Sequence, residues 1–161
     1  MRMFDSSGDF FRFTQSFLLR ISTVLMVAGS APGCAREPEL VSVSATTFNY
    51  SQDSLLEIWV NGKSAGSLAK PSKLGEIKGS GVVCCISLSP AWKIVEVKIQ
   101  ATKGVEYTTQ AKILQPWPQI ASYAVVHVLP GRKVVIEVSP TYVIPEPERL
   151  DELEQFARDT K

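Results

Sequence analysis

Histidine is nearly absent from this 161-residue chain, and His127 is its only representative. A Ser-His or Cys-His pair could therefore use this residue alone, which removes most arrangements of nucleophile and general base. The setting, Val125-Val126-His127-Val128-Leu129, is that of a hydrogen-bonded histidine inside a sheet, because catalysis would also demand a nucleophile and an orienting group beside it. Metal binding by His127 with Cys84 or Cys85 meets a similar objection, since zinc normally takes three or four protein ligands. There is no Gly-x-Ser-x-Gly, so the nucleophile elbow of the α/β-hydrolases is missing. Gly62-Lys63-Ser64 imitates the end of a phosphate-binding loop, but Glu57 stands where that motif needs its first glycine and Ile58 to Val60 is strand-like. No catalytic residue, no metal site and no cofactor are expected.

Also lacking is an apolar run of about 20 residues, the length that spans a bilayer. The stretch from Phe17 to Ala28 is shorter and is broken by Arg20. Together with Arg2 and Arg12 before it, and the small residues Gly29, Ser30, Ala31 and Gly33 after it, this stretch reads as an export signal with a cut beyond it. Ala31-Pro32-Gly33-Cys34 matches the last half of the four-residue signature that precedes the lipid-acceptor cysteine of bacterial lipoproteins, while Ala31 and Pro32 depart from it. The expectation is a signal peptide over residues 1–33, lipid attachment at Cys34, a tether over 34–40 and one domain over 41–161. A plain secretory peptide with a chance cysteine is the blander alternative. Two or more acyl chains anchor a protein stably where one does not. Ala35 is not Asp, so the usual bacterial sorting pattern sends such a protein to the outer membrane, facing the periplasm.

Charge of one sign is the third thing missing. From Cys34 onward there are 14 Lys and Arg against 14 Asp and Glu. With no basic surplus, nothing points to nucleic acid or to an electrostatic attraction to anionic lipid.

What remains is rich in period-two alternation, the signature of half-buried strands. Val95, Val97 and Ile99 oppose Glu96, Lys98 and Gln100. Val105, Tyr107, Ala111 and Ile113 oppose Glu106, Thr108, Gln110 and Lys112, and Lys103-Gly104 between the two runs predicts a hairpin. Ile120 to Leu129 is apolar on both faces and is followed by Pro130-Gly131 and the alternating run Lys133 to Ser139, a second hairpin with one deeply buried arm. Earlier, Val41 to Tyr50 alternates with a phase change near Phe48. Leu55 to Val60 puts Leu56, Ile58 and Val60 on one face, and Val82 to Leu88 does the same for Val82, Cys84, Ile86 and Leu88. About seven short strands with Gly, Pro and Asn turns predict an all-β antiparallel sandwich or open barrel. A short C-terminal helix is expected after Pro147, with Leu150, Leu153 and Phe156 or Ala157 as its apolar stripe.

Two segments resist the strand reading. Gly62 to Gly81 is a 20-residue connection rich in Gly, Ser and Lys, either a flexible connector or a binding loop. Gln115-Pro116-Trp117-Pro118 holds an indole between two prolines, which excludes a central strand and suits either packing over a sheet edge or anchoring a partner. Cys84 is expected as a buried apolar residue and Cys85 as a thiol on the opposite face, with a strained vicinal bridge as the alternative. Adjacent residues on a strand point to opposite faces, and Cα atoms about 3.8 Å apart fall below the usual disulfide window.

Four segments, taken together, resemble a known family. Phe48-Asn49-Tyr50, Val60-Asn61-Gly62, Gly81 to Leu88 with Cys84-Cys85 ahead of Pro90 and Trp92, and Val126-His127-Val128-Leu129-Pro130-Gly131 are similar, in this order, to a family of small proteobacterial lipoproteins. Members resemble immunity proteins encoded beside type VI secretion effectors, notably phospholipases. Lys63, Ser64 and Ala65 stand where the family is Gly-rich. The resemblance implies a membrane-anchored periplasmic protein that binds a toxic phospholipase and occludes it, without catalysis. On composition, Lys63, Lys70, Lys73, Lys78 and Trp117 are the candidate partner contacts. A structural or assembly lipoprotein of the envelope is the alternative.

Overall fold

In the computed structural model of the protein, residues 38–67 and 76–159 are described. The described residues belong to one compact unit. Cys34, the expected signal peptide, Lys70 and Lys73 lie outside the described residues.

The all-β expectation holds, in its open-barrel form. Nine strands are described: β1 Val41–Asn49, β2 Leu55–Val60, β3 Lys63–Gly66, β4 Lys78–Gly79, β5 Val83–Leu88, β6 Ile94–Ala101, β7 Glu106–Ile113, β8 Tyr123–Leu129 and β9 Lys133–Ser139. They make one curled sheet in the order β3-β2-β6-β7-β9-β8-β1-β4, with β5 also on β1. Both expected hairpins form, β6 with β7 around Gly104 and β8 with β9 around Gly131. The strands are not all antiparallel, because β1 pairs with β8 and β7 with β9 in parallel. Alternation reports which face a side chain takes but carries no sign of strand direction.

The two edges of the sheet approach without a ladder. Thr47 Oγ1 on β1 donates to the Ala65 carbonyl on β3 at 2.8 Å. A side chain at Gly66 would meet Ser80 Oγ at 2.6 Å, and its φ of +128° suits glycine alone. The expected 20-residue connection is thus partly strand. Lys63–Gly66 and Lys78–Gly79 are β3 and β4, recruited by backbone pairing to β2 and β1 although their sequences lack strand propensity.

Two phase errors in the sequence reading have one cause, a register shift. Between Leu55 and Glu57 the β2–β6 pairing slips, which turns Leu55 into the core and leaves Leu56 48 % exposed. On β5 the shift lies opposite Val43 and Ala45, so Ile86 and Leu88 are buried while Val82 and Cys84 face outward. Cys84 and Cys85 are joined by a disulfide across a cis peptide, contrary to expectation. An irregularity in the ladder takes both residues out of the strand alternation on which that expectation rested.

The sheet has an apolar layer on each side. Inside the barrel, Ile58, Ile86, Ile99, Ile113, Val126 and Ile136 pack together at essentially zero exposure. Outside, β1, β8 and β9 present Phe48, Tyr50, Val125, Leu129 and Val135 to the C-terminal segment. That segment makes a 3-10 turn, Pro147–Arg149, and the helix α1, Leu150–Arg158. The expected stripe of Leu150, Leu153, Phe156 and Ala157 covers this second layer, with Leu153 1 % exposed. Lys112 Nζ on β7 donates to the carbonyls of Phe156 and Ala157 at 3.2 and 2.8 Å, satisfying the open end of the helix and opposing its dipole.

Register sorts the connections into two ends. At the entry end β1, β6 and β8 begin and β2, β5, β7 and β9 finish. Segments 89–93 and 114–122 lie there, each setting a half-buried tryptophan, Trp92 or Trp117, on the inner core. At the distal end lie the turns 50–54, 102–105 and 130–132.

Candidate functional site

The distal end holds the most developed surface feature, and Asn49 builds its first wall. Buried at the end of β1, Asn49 Oδ1 accepts hydrogen bonds from Ser51 N and Ser51 Oγ at 2.9 and 2.7 Å. Its Nδ2 donates to the Asp53 carbonyl at 2.9 Å, and Asp53 N donates back to Ser51 Oγ. An Asn side chain bonded to the backbone two residues on is the standard way to fix a turn. The result is a rigid 50–53 loop that presents Gln52 and Asp53 outward.

The second wall is the β8–β9 turn. Arg132 follows Gly131 with φ of +62°, in the left-handed region that costs a side chain with a Cβ about 1 kcal/mol. In that conformation its guanidinium lies 4.9 Å from the centre of the Tyr107 ring. Two clefts share Gln52 and Asp53. One, of about 520 Å³, is lined by Tyr50, Pro130, Gly131 and Leu150. The other, of about 360 Å³, is lined by Ser54, Thr102, Val105, Tyr107 and Arg132. Burial pushes the Tyr107 hydroxyl up, Asp53 adds to this and Arg132 opposes it. The surface therefore combines an apolar groove with a cation stacked on an aromatic ring and a carboxylate, which is suited to recognition.

Below the Tyr50 wall, under the C-terminal segment, lies the only histidine. His127 is 1 % exposed, with its ring 6.3 Å from Phe48 and 5.7 Å from Tyr50. Its Nε2 lies 3.3 Å from Glu137 Oε2, and Arg149 Nη1 donates to the same oxygen at 2.9 Å. Burial lowers the His127 pKa and outweighs the carboxylate that would raise it. The hydrogen bond from His127 lowers that of Glu137, with Arg149 acting in the same direction. The consistent state is a neutral imidazole donating Nε2–H to a carboxylate, with Nδ1 as an acceptor. Nδ1 and the Tyr50 hydroxyl have no hydrogen-bond partner among the described residues. Burial pushes the Tyr50 hydroxyl up to about 12. His127 is thus the hydrogen-bonded sheet histidine that its apolar surroundings predict.

The three described partner-contact candidates do not gather. Lys63 is exposed at the start of β3, at the entry end. Lys78 is paired with Glu76 at 2.7 Å beside Asn49, at the distal end. Trp117 packs on the inner core at the entry end, and its backbone N–H donates to Gln115 Oε1 at 3.1 Å. Arg132, Tyr107 and Asp53, which the fold does bring together, escaped sequence reasoning. The one available signal was an arginine following glycine in a hairpin turn. Among the described residues no group of three His, Cys, Asp or Glu is placed to hold a metal. Set against known proteins, the chain matches no family model, no curated protein and no solved structure.

Proposed function

We propose that this chain is a lipid-anchored protein of the periplasmic face of the outer membrane that binds a toxic type VI secretion phospholipase and blocks the entrance to its active site. The observation that carries the reading is the meeting of two distant segments at the distal end. Tyr50, from Phe48-Asn49-Tyr50, and Pro130-Gly131, from the His127 segment, line one cleft. Both segments belong to the resemblance with immunity lipoproteins, and their convergence on one cleft supports reading that cleft as the partner surface. The adjoining pair Arg132–Tyr107 supplies residue types that dominate binding hot spots. Occlusion asks for contact area, about 1,200–2,000 Å² in total, and not for a reacting group. The burial of His127 fits that requirement, because a sealed imidazole has no path to a substrate.

The test is protection. Co-export of the chain with the lipase encoded beside it should rescue cells from periplasmic lipase toxicity, and the two purified proteins should form a complex that suppresses lipolysis. Absence of both protection and complex overturns the proposal. Loss of secretion-apparatus assembly on deletion, without any effect on toxicity, would instead assign the chain to envelope assembly.

A further inference from the structure

We infer that the entry end of the barrel rests on the bilayer, with Leu40, Ile94 and Ile120 among the lipid headgroups and Trp117 at their boundary. The inference deepens the proposed function and rests on its tether at Cys34. Six residues, 35–40, separate Cys34 from β1. Fully extended they reach about 20 Å, which keeps the entry end close to any anchor at Cys34. The nine residues of β1 span about 30 Å to the distal end. An anchored barrel therefore keeps its entry end near the membrane, and docking of that end turns the distal clefts away from it.

The composition of that end fits a lipid surface. Segment 114–122, Leu-Gln-Pro-Trp-Pro-Gln-Ile-Ala-Ser, contains no charged residue in a chain that is 20 % charged, while segment 89–93 carries Lys93 and Leu40 follows Glu39. Ile120 is 70 % exposed, Leu40 57 % and Ile94 49 %, and all three sit at the entry end of β8, β1 and β6. Trp92 and Trp117 bury part of each indole on the core and leave the rest outward. Aromatic rings with one apolar and one wet side concentrate at the membrane–water boundary. Lys93 is exposed beside Ile94 at the same end. Anchoring and docking are separate here: the acyl chains hold the protein and the end loops set its orientation. A lipase bound at the distal end is then held off the bilayer that it would attack.

Tryptophan depth tests this. The mature chain, residues 34–161, carries Trp117 as sole reporter after Trp59→Phe and Trp92→Phe. It is presented on phosphatidylethanolamine/phosphatidylglycerol vesicles containing lipid brominated near the headgroup. Two presentations are compared, acylation in cells and coupling of the Cys34 thiol to a maleimide lipid. The expected result is quenching of Trp117 in both, no quenching of a distal-end reporter, Gln52→Trp in a chain whose three native tryptophans are Phe, and loss of Trp117 quenching in Leu40→Ser/Ile94→Ser/Ile120→Ser with an unchanged melting temperature. Should that triple variant unfold, the single change Ile120→Ser, at the most exposed of the three, is expected to reduce the quenching. Unquenched Trp117 on the maleimide lipid overturns the docking, whatever the state of Cys34 in cells. Quenching there, without fatty-acid labelling in cells, leaves the docking standing and removes only the natural anchor.

Discussion

Arg149 and Glu137 are joined across the outer face of the sheet, Nη1 donating to Oε2 at 2.9 Å, and this contact fastens the turn before α1 to β9. Both side chains are 22 % exposed, so the pair is only partly screened by water. Arg149→Ala is expected to reduce the unfolding free energy by about 1.5–3 kcal/mol, the range for a hydrogen bond to a charged group. Glu137→Ala should cost more, because it strips a partner from both Arg149 and the buried His127. Urea unfolding of the two variants measures the difference. Hydrogen exchange should show the amides of Leu150–Arg158 losing protection first in Arg149→Ala.

The same cluster sets a pH dependence of definite sign. His127 in the folded chain titrates below its ordinary value of 6.5, because burial disfavours the imidazolium. The unfolded chain therefore binds the proton first as pH falls, and stability present above about pH 6.5 declines below it. Glu137 is also lowered, first by the hydrogen bond from His127, so its contribution is present above the ordinary carboxylate range and is lost at lower pH. Both groups favour the neutral over the acidic side. His127 alone contributes at most about 1.4 kcal/mol per pH unit. In His127→Gln the dependence between pH 5 and 7 should flatten while that below pH 4.5 persists. Denaturant titrations across this range provide the measurement, and an equally steep slope in the variant would rule out His127 as its source.

How far the sequence reveals this fold depends on whether the feature is local. The hairpins at Gly104 and Gly131 and the helix stripe of Leu150, Leu153 and Phe156 are legible, because each pattern lies within one or two neighbouring elements. The parallel pairing of β1 with β8 joins residues about 80 positions apart, and no local periodicity encodes it. Leu56 and Cys84 were placed on the wrong face because one irregular residue inverts every side chain after it. The candidate surface is harder still. Asp53, Tyr107 and Arg132 come from three separate connections or strand ends, and none belongs to a recognisable spacing.

Gly79 is a position where space, not backbone angle, demands glycine. A Cβ there would come within 2.6 Å of the Phe48 ring, which is itself confined between the sheet and Tyr142. Gly79→Ala should therefore displace either Phe48 or β4, with a loss of about 1–3 kcal/mol typical of overpacking. Phe48→Leu in the same chain should recover part of the loss by vacating the ring edge. A double-mutant cycle on unfolding free energies tests the coupling, and additive effects would place the clash elsewhere.

Arg132 allows binding to be separated from stability with one substitution. Its φ of +62° is strained for arginine and natural for glycine, while its guanidinium stacks on Tyr107 and lies between the strands that frame the smaller cleft. Arg132→Gly relieves about 1 kcal/mol of backbone strain, against which stands the loss of a cation–π contact of similar size at an exposed site. The melting temperature should therefore stay close to that of the parent. If the distal end is the partner surface, the same change removes an arginine anchor, and the affinity for the lipase should fall roughly 10-fold or more. Arg132→Lys, which keeps the charge and loses the planar stacking, should fall between the two. Calorimetry of each variant alone and with the lipase separates the outcomes. Unchanged affinity in a fully folded Arg132→Gly would move the partner surface away from this turn.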